Sequence, residues 1–572
     1  LEAEPNDDWR QANKLVLGRT VYGSADDADY LGAGGEDGPG VDWFRFEVEP
    51  ETPVLVTFTL DLLDRDVSAD LRVYALDDSG PALIPAGEDP MEIVHDRERE
   101  RRSKNLVRTL SRGQYALRVD ARHPSYVLRS HVGPAPPFED PELAVEAGLR
   151  YILNAGDAWL GQVPREGNRV ERTANLHETS LRCTGCHATS FPADAALAAH
   201  REGYAIPARD GLRYMVDRIA DSPAPLYGDQ GLFWQRYIAT PLQAQGEQGG
   251  VLADYERQVA GRETRALEAF GPFLKAAWEG RTALPDDEVN VVPVESKFSL
   301  AWRDWKVLTE LGRRTGRDDY ARAAANIVAI VDSRVADRQL ETFQDRIHRL
   351  TAWSLLAPSR FADKIRRETG ALLALQNEDG GWHESDERPG PSTVFVTGQI
   401  VDALLDAGLP RDHPALRRAS RFLLARQGSF GGWIQEGTQE NFHTPMRETR
   451  YAVRALARLY PKAAIRARVV CVPSPTDPTP RILEALDALG DVPPDRAGLA
   501  KDEVRALLKH DSAPVRAAAA VRLGDVGGEE KAKALARTLA DPSKVVRRAA
   551  AVGLRALAAR GLGQEAIADA LL

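Results

Sequence analysis

The chain has 572 residues, of which 43% are hydrophobic and 28% are charged. At about 100–200 residues per domain this length predicts several domains, and the composition excludes a disordered or fibrous chain. The 74 basic and 85 acidic residues give a formal net charge of −11, which disfavours nucleic acid and anionic lipid as general partners. No apolar stretch approaches the ~20 residues of a membrane-spanning helix. We expect a multidomain protein without a transmembrane segment.

Residues 1–132 show the alternation of half-buried strands. Phe44, Phe46 and Val48 alternate with polar residues, and residues 54–60 repeat the pattern. A period of two with Gly- and Asp-rich connections predicts an N-terminal antiparallel β-sandwich.

Several motifs in this region resemble the bacterial pre-peptidase C-terminal domain, a jelly-roll-like module of secreted proteins. They are EPNDDWRQAN, VDWFRFEVE, DLRVYAL and LSRGQYALRVDA. The resemblance implies that the protein is exported to the periplasm or the outside of a bacterium. It also implies that this domain is an accessory module and not a catalyst.

After a proline-rich linker at residues 131–142 the apolar period becomes 3.6, which predicts helices to about residue 465. Within this stretch QNEDGGW at residues 376–382 returns as QGSFGGW at residues 427–433. Each copy lies between two apolar helices, so we expect a repeating unit of helix, Gly-Gly-Trp turn and helix. Trp382 and Trp433 are predicted to be buried between helix pairs, and the Gln amides to bind helix-end backbone.

These turns resemble the Gln-Trp repeats of the squalene cyclase and prenyltransferase α/α toroid, which implies a central toroid over residues 140–465. The catalytic elements of that class are missing, because no Asp-x-Asp-Asp element follows the β domain and Cys471 is the only thiol available for a prenyltransferase-like zinc site. We therefore expect a scaffold or binding cup. His348, His383 and His443 are candidates to line its mouth, with surface or capping roles as the alternative.

A second proline-rich segment, residues 471–480, marks another boundary. After it, HDSAPVRAAAAVRLG is followed by the similar ADPSKVVRRAAAVGL, a repetition typical of stacked helical pairs. Residues 481–572 resemble HEAT-type repeats. The predicted core positions are Val515, Leu523, Val546 and Leu554. Arg516 and Arg547 are expected to brace the stack or face solvent.

Cys183 and Cys186 stand three residues apart and His187 follows at once, the attachment pattern of haem c. Two such thiols can bond the haem vinyl groups, and the adjacent histidine is the proximal iron ligand. A zinc site would need a second ligand pair, and a redox pair of the thioredoxin type would need a βαβ context. The motif resembles a c-type cytochrome and predicts one covalent haem c in a segment at about residues 175–215.

Four alternatives stay open for the sixth iron ligand. His177 lies ten residues before His187, and His200 lies thirteen after it, in a predicted helix with Pro192 in its first turn. Solvent exposure is the alternative role for both histidines. Met215 is the third candidate, and an open or water-bound position is the fourth.

These features predict an exported monohaem c-type cytochrome that carries electrons between redox protein partners, alone or as a subunit of a larger complex, while its accessory domains bind those partners. Two alternatives stay open. One is a haem enzyme, peroxidase- or oxygenase-like, that acts on a small or apolar substrate held in the toroid. The other is an interaction protein in which haem is structural or redox-sensing.

Overall fold

The computed structural model describes residues 8–23, 40–62, 69–84, 105–121, 126–160, 186–207, 209–221, 241–261, 263–285, 296–340, 342–384, 390–434, 445–462, 475, 478–490, 501–526 and 529–559. The chain divides into two compact units. The first contains the described residues up to 135 together with those from 475 onward, and the second contains those from 136 to 462. Within these ranges no helix has the length and apolar character needed to cross a bilayer.

The strands described in the first unit are β1 (Asn13–Lys14), β2 (Thr20–Gly23), β3 (Gly40–Val48), β4 (Val54–Leu62), β5 (Ala69–Asp77), β6 (Gly80–Leu83), β7 (Asn105–Leu110), β8 (Gly113–Ala121) and β9 (Tyr126–Pro134). They form two sheets, with strand orders β1-β3-β8-β5-β6 and β2-β9-β4-β7.

The two sheets enclose one apolar core, as the alternating pattern predicts. Phe46 of β3 and Phe58 of β4 come from different sheets, are buried, and have ring centroids 5.3 Å apart. The sheets are not wholly antiparallel, because β1 pairs with β3 in parallel. The chain crosses to the other sheet as β2 between these two strands, which is the connection that a parallel pair needs. Strand β9 continues to Pro134, two residues past the predicted domain boundary.

The helices described in the second unit are α1 (Pro141–Leu160), α2 (Cys186–Arg201), α3 (Arg209–Asp221), α4 (Pro241–Tyr255), α5 (Gly271–Trp278), α6 (Lys297–Thr315), α7 (Asp318–Val331), α8 (Arg334–Arg338), α9 (Phe343–Leu356), α10 (Ala362–Ala374), α11 (Val394–Asp406), α12 (Pro414–Ala425) and α13 (Pro445–Leu459). A π-helical turn at Glu256–Ala260 and a 3₁₀ helix at Arg265–Phe270 lie between α4 and α5.

Six of these helices, the inner helices, contact one another in a closed cycle. In order around the cycle they are α2, α4, α6, α9, α11 and α13, and α13 contacts α2 again. The outer helices α1, α3, α5, α7, α10 and α12 alternate with them along the chain and pack against them. Helix α11 is buried continuously from Val394 to Leu404, as expected for a helix surrounded by protein. The described part of the second unit is therefore a two-layered helical ring.

The inner helices run in the same direction and in register. Gln399 and His348, each the sixth residue of its helix, lie 3.3 Å apart between their Nε2 atoms. Glu247 and Arg303, each the seventh residue of its helix, form an ion pair at 3.6 Å. On α11 and α13, Asp402 pairs with Arg454 and Asp406 pairs with Arg458. Both contacts advance four residues in the same direction, which shows that these two helices are parallel. We call the end of the ring at which the inner helices begin the mouth.

The two Gly-Gly-Trp turns are equivalent in three dimensions. Trp382 and Trp433 have no exposed surface, which confirms the prediction for both. Each indole Nε1 donates to a carbonyl of the preceding helix, at 2.8 and 2.7 Å. Gly380 and Gly431 have φ values of 91° and 85°, a left-handed conformation that glycine adopts most readily.

The two glutamines of these turns bind the starts of outer helices. Gln376 Nε2 donates to the carbonyl of Ala415 at the beginning of α12, at 2.8 Å. Gln427 Nε2 donates to the carbonyl of Ala144 in the first turn of α1, at 3.0 Å. The second glutamine thus binds α1 in the same way that the first glutamine binds α12. This contact closes the outer layer of the ring.

The C-terminal helices of the first unit are α14 (Thr479–Gly490), α15 (Lys501–Ala506), α16 (Ala513–Val526), α17 (Glu529–Thr538) and α18 (Lys544–Ala559), with a 3₁₀ turn at Leu507–Lys509. The four predicted core positions in this segment are all buried.

The arginines of this segment brace the stack, in agreement with the sequence. Arg516 Nε and Nη2 donate to the carboxylate of Asp541 at 2.8 and 3.0 Å, and Arg547 donates to the carbonyl of Asp541 at 2.8 Å. Val127 of β9 is buried in the core of these helices. The sandwich and the C-terminal helices therefore fall within one compact unit.

Candidate functional site

The predicted haem-attachment motif ends at the mouth of the ring. Cys183 and His177 lie outside the described residues, whereas Cys186 and His187 are the first two residues of inner helix α2. The helix begins six residues before Pro192, so that proline lies inside it and not in its first turn as predicted. Because proline has no N–H, the carbonyl four residues earlier has no helical donor. The motif nevertheless leads directly into an inner helix.

Two further candidate iron ligands, His200 and Met215, lie on α2 and α3. His200 is thirteen residues after His187 on the same helix, and a rise of 1.5 Å per residue separates their backbones by about 20 Å. His200 Nδ1 lies 3.1 Å from the carbonyl of Tyr204. Met215 is buried in outer helix α3. His200 therefore lies near the end of α2 that is remote from His187, and its role as an iron ligand stays a prediction.

Below the mouth, charged side chains from several inner helices meet in the ring interior. Asp194 of α2 accepts from Arg450 Nε at 2.7 Å and from Arg454 Nη1 at 2.6 Å. Arg450 also pairs with Glu247 of α4 at 2.8 Å, and Glu247 pairs with Arg303 of α6. We call these five residues, together with Asp402, the ion layer.

Asp402 extends the ion layer to α11. Its carboxylate accepts from Arg454 Nε at 2.7 Å and from Arg458 Nη1 at 3.0 Å. Sequence reasoning missed this layer. Its signal was the spacing of Arg450, Arg454 and Arg458 at every fourth residue of α13, because that spacing lines one face of a helix.

The ion layer keeps Asp194 ionised. Burial alone would raise the pKa of this carboxyl, but Arg450, Arg454 and Arg303 outweigh it and hold the pKa well below its usual range. Ionised, hydrogen-bonded pairs are the form in which buried charges are tolerated. Asp194 is therefore a fixed negative charge and not a proton donor.

Of the three histidines that the sequence offers for the mouth, His443 lies outside the described residues and the other two are buried, which overturns the surface alternative for them. His348 contacts Gln399 at the depth of the ion layer. His383 stacks on Phe343, the first residue of α9, with ring centroids 6.4 Å apart and planes at 15°. Its Nδ1 is buried without a hydrogen-bond partner among the described residues.

Within the part of the chain that the structure describes, no three His, Cys, Asp or Glu side chains converge as a metal-binding cluster. A haem c site does not need one, because two thioether bonds hold the porphyrin and the protein binds the iron only through axial side chains. The start of α2 and the unpartnered nitrogen of His383 are compatible with such a site.

Comparison with known proteins covers two parts of the chain. Residues 474–555 match a family model of HEAT repeats, which agrees with the helical tail that the sequence predicts. A squalene–hopene cyclase of Bradyrhizobium diazoefficiens is 32% identical over 99 residues, and the match covers 15% of each chain. The chain therefore matches only a small part of that relative's length. The C-terminal helices are thus similar to HEAT repeats, and a further segment of the chain is similar to a squalene–hopene cyclase.

Proposed function

We propose that the protein is an exported monohaem c-type cytochrome that carries electrons, with haem attached at the mouth of an α/α toroid. The observation that carries this proposal is the position of Cys186 and His187 at the start of α2. Residue 187 precedes Phe191 by four residues and Asp194 by seven, the spacing of one helix face. Phe191 and Asp194 both contact Arg450 in the ring interior. This spacing supports the proposal that residue 187 belongs to the same face of α2.

The toroid assignment is supported by the closed cycle of inner helices and by the two equivalent Gln-Trp turns. The likeness to a protein named squalene–hopene cyclase agrees with it. We propose that the shared feature is the scaffold, because a cyclase of that kind needs a protonated strong acid. Asp194, the acid that α2 places in the interior, is held ionised by arginines.

The ion layer also argues against an apolar substrate in the described interior. Arg450 and Arg303 are 3% and 5% exposed at their side chains, and their charges would have to be separated from their partners to admit an apolar molecule. Separating buried ion pairs is strongly unfavourable. Electron transfer makes no such demand on the interior.

Cys183 and Cys186 would hold the haem through thioether bonds, and His187 would ligate its iron. Bound haem supplies a one-electron couple whose potential depends on axial ligands, burial and nearby charges. Asp194 lies seven residues along α2 from His187, about 10 Å by helix rise. The ion layer would hold fixed charges near the iron without exchanging protons.

The remaining modules fit partner binding outside the cytoplasm. HEAT repeats stack into extended protein-binding surfaces, and residues 474–555 match them. The resemblance of the N-terminal region to an export-associated module agrees with haem c, which is attached outside the bacterial cytoplasm. We propose redox proteins as the partners.

The test is export of the full chain in a host that attaches haem c, followed by intact mass measurement. We expect the mass of the chain plus one haem, and a reversible one-electron reduction. The double variant Cys183→Ala/Cys186→Ala should lose the haem, whereas the control Cys471→Ala should keep it. An unmodified wild-type chain, or haem retained by the double variant, would refute the proposal.

A further inference from the structure

We infer that the outer face of the five-stranded sheet in the N-terminal sandwich binds an acidic polypeptide. The inference names the chemistry of a partner, and it rests on the proposed function where that function assigns partner binding to the accessory modules. The residues that carry it lie in two neighbouring rows across the strands.

The strand register sets which side chains share this face. The first row has one residue from each strand: Lys14, Arg45, Ala116, Tyr74 and Leu83. The second row, two residues further along the strands, contains Trp43, Arg118 and Arg72. Phe44 and Leu117 lie between the rows and belong to the sandwich core. Because successive side chains of a strand point to opposite faces, both rows lie on the outer face. We call these eight residues the basic face.

Like charges stand side by side on the basic face. Two pairs of basic residues are direct cross-strand neighbours: Arg118 with Arg72, and Lys14 with Arg45. Like charges in this position destabilise a sheet, so the pairs are not explained by the stability of the sandwich. Asp120 forms an ion pair with Arg118 at 2.7 Å, but among the described side chains on this side of the strands Asp120 and Glu47 lie outside the two rows. The basic face thus concentrates positive charge on a chain whose net charge is −11, and an anionic partner would offset the repulsion.

Aromatic rings lie among these cations. The ring centroids of Trp43 and Tyr74 are 5.0 Å apart, and the guanidinium of Arg118 lies 5.8 Å from the ring centroid of Trp43. Trp9 extends the basic face, because Arg45 Nε donates to its carbonyl at 3.0 Å and the Arg45 guanidinium lies 5.4 Å from its ring centroid. Tryptophan, tyrosine and arginine are the residues most enriched at the energetic centres of protein interfaces. This composition favours a polypeptide over an anionic polymer that has no apolar groups.

The two sheets of the sandwich differ in what their outer faces contact. Val127 of the four-stranded sheet is buried in the core of the C-terminal helices. On the five-stranded sheet Lys14 and Arg72 are exposed, and Leu83 is 55% exposed. Strands about 4.8 Å apart make the first row about 19 Å wide. A patch of this width suits the small interfaces of transient complexes, among them those of electron-transfer proteins.

The experiment titrates the full-length chain into a fluorescently labelled random copolymer of glutamate and tyrosine and measures fluorescence anisotropy. We expect saturable binding that weakens as the salt concentration rises, because salt screens exposed charges. Lys14→Glu/Arg72→Glu reverses two exposed charges of the basic face and should weaken binding by at least about tenfold. The matched control Lys509→Glu/Lys533→Glu reverses two exposed charges in the C-terminal segment. It changes the net charge equally and should bind within about twofold of wild type.

A second probe, polyglutamate of the same length, tests the aromatic part of the basic face. Wild type should bind the copolymer more tightly than polyglutamate, because only the copolymer offers rings to Trp43 and Tyr74. Tyr74→Ala should reduce this preference while it keeps the salt dependence. Alginate and duplex DNA, which are anionic without being polypeptides, should displace the copolymer only at a higher concentration of charge.

The outcomes separate this inference from the proposed function. No binding of the copolymer to wild type, equal losses in the two double variants, or displacement by alginate or DNA at equal charge would overturn the inference. None of these results bears on haem attachment, which the mass measurement tests by itself. If wild type attaches no haem but binds the copolymer through the basic face, the proposed function fails and the binding surface stands. Should Lys14→Glu/Arg72→Glu fail to fold, Lys14→Gln/Arg72→Gln removes the same two charges and should still bind more weakly than wild type.

Discussion

Gln427 offers a direct test of how the helical ring closes. Its side-chain amide donates to the carbonyls of Gly431 at 2.6 Å and Ala144 at 3.0 Å, and the residue is 7% exposed. Gln427→Ala removes the hydrogen-bond donor of two carbonyl groups, and the site is so buried that water does not readily replace this donor. At about 1–2 kcal/mol for each bond, we expect a loss of roughly 2–4 kcal/mol in the free energy of unfolding.

Gln376→Ala is the matched control, because Gln376 makes the equivalent bonds in the first turn. Gln376 is only partly buried, so water can replace part of what is lost, and we expect a cost of about 1 kcal/mol. The two variants remove the same atoms from the same type of turn. The difference between their losses in unfolding free energy therefore measures the effect of burial and ring closure, and not the chemistry of glutamine.

Urea unfolding of the full chain, followed by tryptophan fluorescence, measures both losses. Trp382 and Trp433 of the ring are two of the ten tryptophans that contribute to the signal. The midpoint and slope of the transition separate a change in stability from a change in the exposed surface. Limited proteolysis should also cleave the Gln427 variant near α1 earlier than the Gln376 variant. Equal losses in the two variants, or a loss below about 0.5 kcal/mol for Gln427→Ala, would refute closure through this contact.

Three further predictions concern packing and charge. Trp382→Ala and Trp433→Ala should each cost about 3–5 kcal/mol in unfolding free energy, and clearly unequal urea midpoints would contradict their equivalence. Asp194 has a folded pKa below its unfolded value, so its contribution to stability is complete above about pH 4 and is lost as the pH falls further. Asp194→Asn should lower the free energy of unfolding by about 3 kcal/mol at pH 7 and flatten the curve of stability against pH in acid. An unchanged curve would contradict this. Gly553→Ala should destabilise the C-terminal helices by about 1–3 kcal/mol, because a methyl group there meets the backbone of a neighbouring helix; the control Gly370→Ala, which has open space in α10, should be neutral or stabilising in thermal unfolding.

The sequence alone determined the features that depend on local pattern. Alternation at Phe44 and Phe46 predicted half-buried strands, since one face of a strand repeats every second residue. The two Gly-Gly-Trp copies predicted buried tryptophans, because each turn has the same glycines and the same flanking helices. The C-terminal repeat likewise predicted its buried positions. In each case the required information lies within a few residues or recurs at a fixed offset.

Tertiary structure decided the features that join distant residues. Gln427 and Ala144 are 283 residues apart, so no local pattern indicates that they close a ring. The ion layer joins charged residues from separate helices. In the sequence of each helix these residues resemble a solvent-exposed face, and only the packing of the other helices buries them. Side-chain identity is a local property, whereas distance and burial depend on how the whole ring packs.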